Sequence, residues 1–227
     1  MKLIRALVIK GTNLRERAKH RAALAVLDRA LRLALGEKDF ASAVDALGAR
    51  CLTWKHLHQL TEDKAYMALA QSDAWASLLI VQAKGLKKLN HSAHFNVAKI
   101  AVIAKDFDGA TAHYRTALKY YRGSRTERGD YRCHYGEALF RAGQRTRGLR
   151  TIQAGLQEIQ KHRGEVDSFL AHVWESGAHM RLTELLWREE RTRAREYLRQ
   201  AQTIIKSDNR LLMRKKQLHL LTQRILK

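Results

Sequence analysis

Residues 105–118 read Lys-Asp-Phe-Asp-Gly-Ala-Thr-Ala-His-Tyr-Arg-Thr-Ala-Leu, and their spacing of small and large side chains limits the possible folds more than any other feature. A helical run containing Ala98 precedes them, a polar turn falls at Asp106, and a second helical run then carries Ala110, Tyr114 and Ala117. Two antiparallel helices approach closely only where side chains are short, so the alanines mark the contact while Phe107 and Tyr114 fill the wider gaps. The spacing predicts a two-helix hairpin. The same turn occurs earlier: residues 36–44 read Gly-Glu-Lys-Asp-Phe-Ala-Ser-Ala-Val, with Asp39, Phe40 and Ala43 standing where Asp106, Phe107 and Ala110 stand, 67 residues on. That separation is about two hairpins, so a further turn is expected at 73–77, after a short helix over 62–71. The chain contains no proline, which suits continuous helices joined by Gly and Asp turns.

Counted in units of about 34 residues from His91, these residues resemble the tetratricopeptide repeat (TPR) family, whose small positions then fall on Ala98, Ala110 and Ala117 and whose aromatic positions fall on Phe107 and Tyr114. The resemblance covers roughly residues 24–206 and is strongest over 91–157. It implies an all-α fold, a right-handed superhelix of antiparallel helix hairpins (a TPR-like α-solenoid) with about eleven helices in a single domain over 1–227. N-terminal helices lie within 1–35, the units span 24–57, 58–90, 91–123, 129–162 and 165–206, and a capping helix closes the array at 208–227. In the fourth unit Gly136, Gly148 and Gly155 take the small positions, with Gly143 in the turn. Glycine inside a helix costs about 1 kcal/mol relative to alanine, so this unit should bring two backbones unusually close. In the fifth unit Ala194, Leu198 and Ala201 keep the pattern at a longer spacing.

Elsewhere the reading is plainer. Residues 3–9 suggest a short helix ended by Gly11, followed by one helix over 14–35 in which Leu24, Leu27, Leu31 and Leu35 share a face. Trp54 and Trp75 are expected in the core, where tryptophans on apolar helix faces usually lie. Cys51 and Cys133 make no disulfide framework and have no ligand spacing, His56 and His58 point to different sides of a helix, and His91 and His94 share a face but lack a third ligand nearby in sequence. No metal or cofactor is expected. The opening ten residues are interrupted by Arg5 and offer neither a cleavage site nor a span, so a cytoplasmic protein without membrane insertion is expected.

Function must be sought in charge. Forty-three Lys and Arg against 22 Asp and Glu give a formal charge of +21, which favours anionic partners. The family resemblance implies that first helices of the hairpins line a concave partner groove. Its positions fall on Phe95 and Lys99, with Asn96 beside them, on Glu137, Phe140 and Arg141, and on His179, Thr183 and Trp187. Arg145, Arg147, Arg150, Arg191, Arg193 and Arg195 gather instead at turns and second helices and form the expected anion-binding surface. The resemblance thus implies a protein–protein interaction scaffold that holds a peptide or protein in the groove, its basic exterior favouring acidic partners. The alternative is an RNA-binding helical-repeat protein, although no base-reading residue recurs at one fixed position per repeat. No nucleophile, base and oxyanion donors are brought together by spacing, and no enzymatic activity is expected.

Overall fold

The computed structural model describes residues 2–226. Among them are eleven α-helices, two single-turn 3₁₀ segments and no strand, as the all-helical reading requires. The helices are α1 (Lys2–Glu16), α2 (His20–Gly36), α3 (Phe40–Thr61), α4 (Lys64–Ala83), α5 (Asn90–Ile103), α6 (Phe107–Tyr120), α7 (Arg125–Arg141), α8 (Arg145–Lys161), α9 (Ser168–Leu186), α10 (Arg191–Ser207) and α11 (Leu212–Leu226). They form two compact units, one ending at Tyr120 and one beginning at Tyr121, and within each unit successive helices pack on one another as in a helical repeat.

In the first unit the two matching turns have the same local structure. Lys38 and Lys105 adopt left-handed backbone angles, with φ of 55° and 63°. The next amide then reaches back across the helix end, Asp39 N to Ala34 O at 2.8 Å and Asp106 N to Ala101 O at 2.9 Å. Each aspartate then accepts from the new helix: Asp39 Oδ1 from Ser42 N at 3.1 Å, Asp106 Oδ1 from Gly109 N at 2.9 Å. Their places in the chain are not equivalent, however. The first joins α2 to α3 and the second α5 to α6, so three helices separate them where two hairpins would supply four.

The expected turn at 73–77 is absent because α4 runs unbroken from Lys64 to Ala83, and the expected short helix over 62–71 is not a separate element. Asp73 sits inside α4, buried on the stripe that also buries Ala70, Ala74, Ser77 and Val81. Burial of that stripe outweighs the preference of aspartate for helix ends, and Arg50 of α3 stands 3.3 Å from both Asp73 and Asp28 of α2. The chain instead reverses at Glu62, with φ of 60°, and Asp63 caps α4 through Ala65 N at 2.8 Å. Burial pushes the Asp73 carboxyl up to about 6, against the opposing pull of Arg50. A carboxyl that holds its proton more tightly when folded stabilises the fold at low pH and loses that contribution as pH rises through the folded value. Asp73→Asn stays uncharged throughout. Its stability relative to the parent should therefore rise by on the order of 2 kcal/mol between about pH 4 and pH 7 in parallel urea titrations, whereas a constant difference would place the charge elsewhere.

Gly11 likewise does not end a helix. α1 continues through it to Glu16, and the break comes at Ala18, with φ of 56°. A Cβ on Gly11 would lie 2.5 Å from Leu27 Cγ, so this glycine serves the packing of α1 on α2. Trp54 is half-buried and stacked on Tyr66, whereas Trp75 is 43% exposed, contrary to the expectation that it lies in the core. Around the α5–α6 contact, Ala98, Ala110, Ala117 and Tyr114 are buried as the spacing predicts, and the Phe95 and Tyr114 rings meet edge to face at 5.5 Å. Ala110→Leu should cost about 1–3 kcal/mol in urea unfolding, because the contact cannot admit the added volume; an unchanged midpoint would show that the contact yields.

The second unit begins with the glycine-rich hairpin α7–α8. A Cβ on Gly129 would lie 2.6 Å from the carbonyl oxygen of Gly155, and one on Gly155 2.6 Å from that of Gly129. Gly136 and Gly148 form a second reciprocal pair at 2.7 Å each way. The expected backbone approach is thus present at two levels. Below it Cys133, Ile152, Leu156, Ile159, Ala178 and Leu182 form one cluster, and Met213 and Leu221 of α11 are buried as that helix closes the end of the unit. Both cysteines are buried and free, and burial pushes the Cys51 thiol up to about 12.

Candidate anion-binding face and partner groove

Two sides of the second unit differ in how their charges are used. On the side where α7 meets α9, carboxylates and guanidinium groups alternate across the helices. Glu137 accepts from Arg141 Nε at 3.1 Å and, through its other oxygen, from Arg181 Nε at 3.0 Å. Glu184 lies 3.4 Å from Arg141 and 3.0 Å from Arg224 of α11. Arg181 also reaches the His134 ring. Between α7 and α8, buried Glu158 takes Arg128 at 2.7 Å and Arg132 at 2.8 Å. The positive charge here is largely neutralised within the protein.

Glu137 and Arg141 therefore lie on a partly open helix face, but each is already paired. Phe140 is half-buried, with the Arg145 guanidinium 4.7 Å from its ring centroid. The three α9 positions expected in the groove are not on that face. Thr183 is 0% exposed and donates to His179 O at 2.9 Å, Trp187 is buried beside Leu186 and Ala194, and His179 is buried with its ring 5.8 Å from Tyr197 of α10. Burial holds the His179 imidazole below the usual histidine range. These residues recur at four-residue steps, His179 and Thr183 on the inward stripe of α9 and Trp187 continuing it one residue past the helix end. The stripe carrying Arg181 and Glu184 is the one turned toward α7, and its charges at three- and four-residue spacing, continued by Arg188 beyond the helix end, are the sequence signal that identifies it.

In the first unit Phe95 and Asn96 are buried. Asn96 packs against α3, where a Cβ on Gly48 would lie 2.8 Å from its amide nitrogen. Lys99 Nζ lies 4.0 Å from the Phe95 ring centroid. These three residues share α5.

The outer arginines behave differently. All six are exposed, on α8 and α10. Arg145 forms a two-pronged pair with Glu189, and Arg193 donates to Glu190 at 2.9 Å. Arg147 is held only by the neutral groups Gln144 Oε1, at 2.9 Å, and Tyr135 OH, at 3.4 Å, while Arg150, Arg191 and Arg195 have no carboxylate partner among the described residues. Arg147 and Arg150 line a surface cavity of about 490 Å³ with Arg132, Thr146, Thr151 and Ala154. Aromatic rings nearby are already covered by cations: Arg191 lies 5.6 Å from the Trp187 centroid and Arg193 lies 6.0 Å from that of Tyr197.

Among the described residues no group of three or more His, Cys, Asp or Glu side chains is arranged to hold a metal, and no helix is long and apolar enough to cross a membrane. Compared with known proteins, the chain matches no family model and no curated protein.

Proposed function

We propose that this protein is a non-enzymatic helical-repeat scaffold of TPR type, its hairpins following a right-handed superhelical course, and that it holds an acidic protein segment. The contact is carried by the outer arginines of α8 and α10. The observation that carries this reading is the unequal use of charge. Arginines of α7 and α9 are paired with Glu137, Glu158 and Glu184, whereas among the described residues Arg147, Arg150, Arg191 and Arg195 stand exposed without a carboxylate. An exposed guanidinium binds a carboxylate through two parallel hydrogen bonds, and several close together make a clamp for a run of Asp or Glu. The rings near these arginines favour an acidic peptide over RNA, since Trp187 is buried and Arg193 already lies 6.0 Å from the Tyr197 ring centroid, competing with a base for that ring. The groove between α7 and α9 is then a structural seam, and the partner lies on the opposite side.

The test is binding of a fluorescent Asp- and Glu-rich peptide to the parent and to a variant with Arg147, Arg150, Arg193 and Arg195 changed to Glu. Loss of peptide binding in the variant supports the reading; unchanged binding overturns it.

A further inference from the structure

The outer face of α4 carries little charge on a strongly charged molecule. Between Lys64 and Lys84 the only ionisable side chains are Tyr66, which is stacked on Trp54, and Asp73, which is buried against Arg50. What α4 shows to solvent is Ala65, Ala68, Leu69, Ser72, Trp75 and Leu79, with Gln71 and Gln82 at its edges. Leu69 is 41% and Leu79 60% exposed. Three large apolar groups thus stand along three turns of one helix. Small side chains lie between them.

The surroundings are mostly basic. Lys84, Lys87 and Lys88 gather at the C-terminal end of α4, while at its N-terminal end Lys64 follows exposed Glu62 and Asp63. Arg50 joins Asp28 of α2 to Asp73 of α4, which brings that stripe of α2 alongside. Arg21 and Arg32 lie on the same stripe, seven residues before and four after Asp28, and both are exposed. On the other side the Trp75 ring meets His113 of α6 edge to face at 5.7 Å.

We propose that this face docks an amphipathic helix from a partner protein, one whose apolar stripe is flanked by Asp and Glu. The apolar stripe would lie over Leu69, Trp75 and Leu79, with its ridges entering the depressions at Ala68 and Ser72 and its acidic flanks meeting Arg21, Arg32 and the lysines at the helix ends. Charge complementarity selects this occupant. A second copy of the chain would bring two basic rims together, since this unit carries 20 Lys and Arg against 10 Asp and Glu over residues 1–120. A lipid surface gains free energy from bulky groups and gains little from alanine and serine, which make up much of this face. The site lies in the other compact unit from the arginines of α8 and α10 and is independent of them.

The test uses a fluorescein-labelled helix of about 18 residues, with leucines on one stripe and glutamates on both sides, titrated against the full chain by anisotropy. Micromolar binding is expected, weakened at least about tenfold by Leu79→Glu and also by exchanging the peptide's glutamates for lysines. Ser72→Arg, at an exposed position, should cause the same loss without removing an apolar contact, so a folding defect in one variant does not decide the outcome. Reversal of the four arginines in α8 and α10 should leave this binding intact, even if it abolishes capture of the Asp- and Glu-rich peptide. Equal binding by parent and Leu79→Glu overturns the proposal. So does Leu79-dependent binding to phosphatidylcholine–phosphatidylserine vesicles without peptide binding, which would make the face a lipid contact. Leu79-dependent self-association in sedimentation without peptide binding overturns it in favour of a second copy.

Discussion

Gly148→Val is expected to destabilise the second unit by about 3 kcal/mol or more, near the upper end of what overpacking a helix contact costs. Even a Cβ at this position would fall 2.6 Å from the backbone nitrogen of Phe140 and 2.7 Å from the carbonyl oxygen of Gly136. Backbone atoms cannot rotate away as a flexible side chain can, so α7 and α8 would have to separate along their length. Ile152 and Leu156 lie on the same helix and belong to the cluster that also holds Cys133 and Leu182, so separation would loosen the core beneath. Gly164→Ala provides the control: nothing lies within 4 Å of its added methyl group, and stability should change by less than about 0.5 kcal/mol. Urea unfolding followed by circular dichroism distinguishes the two. Equal midpoints would mean that α7 and α8 part at little cost.

The second large effect is electrostatic. Changing Arg147, Arg150, Arg193 and Arg195 to Glu should weaken an Asp- and Glu-rich peptide by about 100-fold at low salt. Each exposed pair contributes roughly 0.2–1 kcal/mol, and each reversal also replaces attraction by repulsion, so four positions together reach roughly 2–3 kcal/mol. The same loss should be approached for the parent simply by raising the salt, because exposed charges are screened beyond about 10 Å at 0.1 M. Phe140→Ala should have a much smaller effect, since that ring lies under Arg145. Single-stranded RNA serves as the competing probe. Should RNA bind the parent and survive the reversal but fail with Phe140→Ala, the nucleic-acid reading replaces the acidic-segment reading.

Much of the fold could be read from local signals. The alanines at 98, 110 and 117 predicted the close contact of α5 with α6, and the glycines of the fourth unit predicted that of α7 with α8, because a small residue at a helix crossing has few other uses. Failures came where burial overrode a local preference. Asp73 resembled a turn residue, but Arg50 stabilises it inside α4, and that pairing spans 23 residues of sequence. Gly11 resembled a stop, yet its absent side chain makes room for Leu27. The groove positions expected on α9 are buried for a related reason. They were counted back from Ala194 in the fifth unit, and it is the stripe of α9 carrying His179 and Thr183, continued by Trp187 just past the helix end, that packs inward. The charged stripe with Arg181 and Glu184 was legible as polar, but only the structure shows which carboxylate each arginine meets. The exposed arginines of α8 and α10 were the most readable part, since a helix surface crowded with like charge has nowhere to go but water.

The two matching turns in the first unit carry one more implication. Successive antiparallel helices alternate direction, so turns separated by an odd number of helices emerge at opposite rims of the layer. Chain inserted beside Lys38 would project from one rim and chain inserted beside Lys105 from the other. The shared Lys-Asp-Phe motif therefore acts as punctuation, usable wherever a helix must stop and reverse, and does not mark a translational repeat. Protein grafted at the two sites would flank the layer from above and below.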